Sequence, residues 1–153
     1  MSPANTRRLA TRFLVAAIAY AVLIFALSQI PGNVLAKLNI DVWDKAMHAA
    51  EYLPLGAVLM VWLIARRRSA ARAAQWREVA ITACIVLAYG ALDEVHQAFV
   101  PGRQPSFADI AADVIGGTVG AAAALLAFSR RSARRRHEPL DELEAREEER
   151  HGL

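Results

Sequence analysis

The sequence predicts an all-α polytopic membrane protein with four transmembrane helices and both termini in the cytoplasm. Three observations predict it. Of the 153 residues 56% are apolar, yet no Lys, Arg, Asp or Glu occurs in 13–36, 52–65, 79–92 or 114–129. Each run, with a turn or so of flanking residues, supplies the roughly 20 apolar residues that a helix needs to cross a bilayer core. Fifteen of the 18 basic residues then fall on one side of the resulting topology. A soluble globule, a disordered chain, a disulfide scaffold and a coiled coil are poor readings of such a chain. The single cysteine, Cys84, sits in an apolar run, which allows no intrachain disulfide and argues against a metal–thiolate cluster. The net charge of +3 and pI near 9.5 would imply nucleic acid only if the basic residues shared a soluble face. They flank the spans instead, so no nucleic-acid partner is expected.

The first span is expected over Phe13–Ile30, stopped by Pro31-Gly32. Arg7, Arg8 and Arg12 before it, and Ala26-Leu27-Ser28 within it, imitate a secretory signal. The apolar stretch is longer than the usual 7–15 residues of a signal, and a retained helix is the better reading. The second span covers about Ala46–Ala65, the third about Val79–Ala98 and the fourth about Ile110–Phe128; nothing alternates like a barrel strand. Pro54 is expected to kink the second span below its polar end. In the fourth, Gly116 and Gly120 form a small-xxx-small pattern that permits close helix approach. The chain thus divides into a basic N-terminus (1–12), a four-helix membrane domain (13–128) and a charged tail (129–153). The tail passes from a basic block, suited to anionic headgroups, to an acidic segment that forms a short helix or stays disordered.

Basic residues set orientation. They crowd the N-terminus, the 66–77 loop and the tail, and only Lys37, Lys45 and Arg103 lie on the other side. Trp43 and Phe107 suit the outer interface; Trp76, Phe13 and Phe128 suit the inner one.

Charged residues within spans are costly and face a bundle interior or an aqueous cavity. Here they gather toward the outer side. At about 100° per residue, Asp44, His48, Glu51 and Tyr52 share one face of the second span. Tyr89, Asp93, His96 and Gln97 share one face of the third, with Glu94 rotated away. Ser106, Asp109 and Asp113 open the fourth span and continue into the glycine stripe. Two histidines, at least five carboxylates and two cations at one level exceed what helix packing requires, so a functional cavity is expected there. Between the third and fourth spans, Pro101-Gly102 forces a turn, and Ser106 after Pro105 reads as an N-cap, with Asp109 completing a carboxylate version of the capping box. Arg103 would hang over the cavity beside a helix start, placed for two-point contact with phosphate or carboxylate, or would pair internally with Asp93, Glu94 or Asp109.

At these residues the chain resembles the VanZ-like family. The resemblance rests on Trp43-Asp44-Lys45-x-x-His48-x-x-Glu51-Tyr52-x-x-x-Gly56, then Asp93-Glu94-x-His96-Gln97-x-Phe99-Val100-Pro101-Gly102-Arg103-x-x-Ser106-x-x-Asp109, then Asp113-x-x-Gly116, and covers about residues 13–128. One departure is Asp113, where Asn is the more usual residue; an ionisable group there alters the charge balance of the cavity. The resemblance implies a four-helix, multi-pass protein of the bacterial cytoplasmic membrane, whose founding relatives are linked to teicoplanin resistance. It implies no particular reaction.

Four functions compete. The first is binding or modifying an anionic envelope lipid, glycolipid or lipid-linked precursor. Lys45 and Arg103 would hold a phosphate, helped by Glu51, Tyr52, Gln97, Ser106, Asp109 and Asp113. His48 or His96, oriented by Asp44, Asp93 or Glu94, would be the general acid or base. No Ser-His-Asp arrangement follows from spacing, and Ser106 is better explained as a cap. The second is a divalent-metal site, for a metal-dependent membrane hydrolase, in which His48, Glu51, Asp93, Glu94, His96 and Asp113 are suitable ligand types and the metal would activate water, although no recognised ligand motif is present and no cofactor is required. The third, a proton or ion carrier, is disfavoured because the inner half of the bundle offers no polar residues to complete a path. The fourth is a non-catalytic partner or modulator of envelope assembly, with the polar cluster as a buried network serving specificity.

Overall fold

The computed structural model describes the backbone of residues 3–37, 44–66 and 72–151, and the side chains of 4–34, 45–66 and 76–133. Among the described residues five helices follow in order: α1 (Pro3–Ser28), α2 (Gly32–Lys37), α3 (Asp44–Arg66), α4 (Arg72–Gln97) and α5 (Phe107–His151). No strand occurs among the described residues. All but the short α2 are long and apolar enough to cross a membrane. The protein is a multi-pass, all-helical membrane protein.

The four long helices alternate in direction, so one end of the bundle gathers the close of α1 and α4 with the starts of α3 and α5. We call this the Pro101 end, and the opposite one the Arg66 end. Contacts advance together along α1 and α4: the Tyr89 hydroxyl donates to the Ala21 carbonyl at 2.6 Å, and further on His96 meets Phe25 and Gln29. α3 and α5 likewise run parallel to each other and form the most extensive helix pair.

Glycine explains that pair. A Cβ on Gly56 would collide with the Gly117 carbonyl, one on Gly116 with the Ala49 carbonyl, and one on Gly120 with the Leu53 carbonyl. Lipid offers apolar side chains as good a home as a protein core does, so helices in a membrane associate through close packing, which small residues allow. The small-xxx-small stripe of the fourth span therefore has a structural role. Around it, Tyr52, Ile24, Leu55, Leu59, Ala17 and Val86 fill the middle of the bundle, while Met60, Val79, Ala121 and Leu125 fill the Arg66 end. Val15, Val22, Leu92, Val95, Ile115 and Val119 point outward, as a lipid-facing surface requires.

Three boundaries differ from the sequence expectation. α1 begins ten residues before Phe13, because the Arg-bearing N-terminal segment continues the same helix. α4 begins at Arg72, which brings Glu78 inside the helix; Glu78 and Thr82 are both buried. The Arg66 half of the bundle, expected to be the inner one, is thus not free of polar groups, although roughly 10 Å of helix still separates Thr82 from Tyr89 at 1.5 Å per residue. α5 continues through the basic block and the acidic segment to His151. Pro54 lies within α3, which stays helical to Arg66. Its missing N–H removes the helical bond to the Ala50 carbonyl, one turn earlier. Trp43, expected at the outer interface, lies outside the described residues. Trp76 is exposed beside α4's start, and the Arg66 guanidinium sits 4.8 Å over the Trp62 ring.

Replacing Gly116 or Gly120 by Leu is expected to destabilise the protein by about 1–3 kcal/mol or more, the usual range for overpacking. Ala111→Leu, on the exposed face of α5, is expected to shift stability by less than about 0.5 kcal/mol. Thermal unfolding in detergent, followed by helical circular dichroism, checks both.

Candidate functional site

The Pro101 end is closed by two loops that grip each other. The Gly32 N–H donates to the Pro101 carbonyl at 3.1 Å, and a Cβ on Gly32 would strike the Gly102 carbonyl. Gly102 itself has a φ of 76°, a left-handed conformation that glycine adopts without penalty. This turn carries Arg103 back over the helix ends.

Ser106 caps α5 as its position predicts, with Ser106 Oγ accepting from the Ala108 N–H at 3.2 Å. The second half of the expected capping box is different. The Ser106 N–H goes to Glu94 Oε2 at 2.6 Å, so the carboxylate comes from α4 rather than from Asp109. Asp109 instead faces Lys45, whose Nζ lies 3.6 Å from Asp109 Oδ1.

Beneath the loops the polar residues fall into two adjoining groups. The first lines a cavity of about 290 Å³ between the close of α1, the first turns of α3, the close of α4 and Arg103. Leu27, Ile30 and Met47 give it an apolar side; His48, Glu51, Asp93, Gln97 and Arg103 give it a polar one. Gln97 Nε2 donates to Asp93 Oδ2 at 2.9 Å. The second group is a buried knot between α3, α4 and α5. His48 Nδ1 pairs with Asp113 Oδ1 at 3.0 Å, and one ring nitrogen of His48 groups with carboxylate oxygens of Glu94 and Asp109, all within 4.8 Å of one another. Gly90 makes room for it, since a Cβ there would lie 2.7 Å from Asp113 Oδ2. His48 belongs to both groups.

Several sequence expectations change here. Glu94, rotated away from the Asp93–Gln97 face, does not line the cavity but is buried against α5, because α4 packs more extensively on α5 than on α3 or α1. His96 goes the other way. Its ring lies 4.6 Å from Phe25, Gln29 Nε2 donates to its Nε2 at 2.6 Å, and it is not among the residues lining the cavity. Tyr52 is fully buried in the apolar core, with its ring 5.9 Å from Tyr89, and does not line the cavity. Among the described side chains the carboxylate hydrogen-bonded to His48 is Asp113, expected as a substrate-binding residue; Asp93 is held by Gln97. The side chain of Asp44 lies outside the described residues. Ser28, which had not been singled out, lines the cavity from α1 and donates to the Phe25 carbonyl at 2.9 Å.

A family model described as VanZ/LLP1 matches residues 13–128. The chain belongs to the VanZ/LLP1 family. No curated protein and no solved structure matches it. The matched residues span α1 to the apolar part of α5 and leave out the basic N-terminal residues and the charged tail. Both polar groups therefore lie within the family domain.

The His48–Asp113 pair is buried on both sides, with Asp113 fully so. His48→Ala would strand that carboxylate, and breaking a buried pair from one side costs about 3–5 kcal/mol. Adding Asp113→Asn to His48→Ala is expected to recover most of the loss. A double-mutant cycle of thermal unfolding checks this.

Proposed function

We propose that this VanZ/LLP1 protein holds the anionic headgroup of a cell-envelope lipid or lipid-linked precursor at the outer leaflet of a bacterial cytoplasmic membrane. The observation that carries the reading is the two-sided lining of the cavity. Leu27, Ile30 and Met47 can meet the start of an acyl or prenyl chain, while Arg103 faces the same space from the loop. Its planar guanidinium suits two-point contact with a phosphate. Lys45 stands nearby with its side chain 63% exposed, available as a second, mobile cation. Orientation follows from the basic residues, which crowd the Arg66 end and both terminal segments and so belong in the cytoplasm.

His48 supplies the chemical option. Asp113 fixes its tautomer and ring plane, so the imidazole is arranged to accept or deliver a proton at the cavity wall. A protein that sequesters or alters an envelope lipid changes what an envelope-directed antibiotic meets, and the teicoplanin link of the founding relatives fits this reading. The second reading, a non-catalytic modulator of envelope assembly, draws on the internal pairing of Gln97 with Asp93, the Ser106 amide with Glu94, and Lys45 with Asp109.

Native mass spectrometry of protein released from its own membrane separates the two. Wild type is expected to retain a specific anionic envelope lipid, and Arg103→Ala to retain at least about tenfold less at undiminished abundance, as loss of a charge-assisted contact implies. Bulk phospholipid alone on both forms, or loss of protein in the variant, favours the modulator. For orientation, single cysteines in a Cys84→Ser background are read with an impermeant maleimide in spheroplasts. Asn33→Cys is expected to label at once, and Ser129→Cys only after permeabilisation.

A further inference from the structure

The knot between α3, α4 and α5 is chemically unlike the cavity beside it. We propose that His48, Glu94 and Asp109 form a binding site for one divalent transition-metal cation of the zinc or manganese type. The three residues are all buried, and their donor atoms lie within 4.8 Å of one another. Donors bound to such an ion at about 2.0–2.2 Å stand roughly 3–4 Å apart, so small side-chain rotations close the set.

Independent observations point to a cation. Glu94 is only 3% exposed and its Oε1 finds no hydrogen-bond donor among the described residues; the same holds for Asp113 Oδ2. Asp109 Oδ1 is also without a donor, and its described cationic neighbour is the exposed Lys45, 3.6 Å away. Buried carboxylate oxygens without donors are expensive. Among the residues whose side chains are described, five carboxylates (Glu51, Asp93, Glu94, Asp109 and Asp113) gather at this end of the bundle with Lys45 and Arg103 as the permanently charged cations. That imbalance calls for added positive charge.

The fourth feature is the Asp113–His48 pair. A metal-binding histidine ordinarily gives its other ring nitrogen to a carboxylate, which sets the tautomer and raises ligand basicity. Asp113 does this from α5 at Nδ1. One imidazole and two carboxylates suit zinc or manganese better than soft or all-oxygen cations. Three protein ligands leave a coordination position open. Because His48 also lines the cavity, that position would serve a phosphate oxygen there, with the ion taking the place of a proton on His48; this consequence rests on the headgroup reading above, and the cation site itself does not.

The test uses the full chain in neutral detergent, stripped with chelator and given metal alone. Manganese binding is read from the loss of the free-ion paramagnetic resonance signal, and zinc from its displacement of manganese. One equivalent per chain is expected. Glu94→Gln, which keeps an acceptor for the Ser106 amide, and Asp109→Asn are each expected to weaken binding by more than about tenfold, and Asp113→Asn by about 10–100-fold through the outer carboxylate. Glu78→Gln removes a buried carboxylate at the Arg66 end and is expected to bind as the wild type does. Well under half an equivalent on the wild type overturns the proposal even if every variant misfolds. Unchanged affinity in Glu94→Gln, or equal loss in Glu78→Gln, overturns it too. Arg103→Ala should still bind the metal, so failure of the headgroup reading and failure of the cation site give different patterns.

Discussion

The polar end of this protein depends on how closely α3 and α5 approach. Gly56, Gly116 and Gly120 let the two backbones touch where any side chain would hold them apart. Because the helices run parallel, the contact also fixes their starts at the same level. His48, one turn into α3, then lies opposite Asp113, nearly two turns into α5. A wider helix pair would leave both groups with neither partner nor water, which a membrane interior does not forgive. The glycine stripe and the histidine–carboxylate pair are therefore one design: the first is the condition for the second.

Around that seam, α4 divides its loyalties. Its Glu94 face turns to α5 and takes the amide that α5 leaves open at its first turn. The face bearing Tyr89 and His96 turns to α1. Asp93 and Gln97 lie between and line the cavity. The result is two adjoining groups sharing His48, one lining an amphipathic cavity, the other buried and rich in carboxylate. The clamp between Gly32 and Pro101 holds Arg103 over the cavity.

The fold was largely legible in the sequence, because a bilayer imposes length and apolarity on every spanning helix and these are one-dimensional properties. The four charge-free runs gave the spans, and Gly116-x-x-x-Gly120 gave a packing face. Boundaries erred where charged residues continue a helix beyond the bilayer core, at α1's start and along α5. The candidate site was legible in level but not in pairing. Helical periodicity ranks residues by angle around their own axis, and it cannot say which neighbour an angle will meet. Glu94 and His96 show this: the arc that seemed to select His96 and reject Glu94 is simply divided between α1 and α5. Tyr52 shares an arc with His48, yet one further residue along α3 places its ring in the apolar core.

What the sequence determined alone was the membrane-spanning class, the number of spans, the clustering of ionisable groups at one end and the residue types available for chemistry. Local composition and spacing are enough for these, since each concerns a single helix and its solvent. Tertiary structure decided the assignments: Asp113 for His48, Glu94 for the Ser106 amide, Ser28 for the cavity wall, and the grouping of His48 with Glu94 and Asp109. These rest on interhelical distances of a few ångströms, set by which glycines face which backbone, and such distances exist only once the helices have packed.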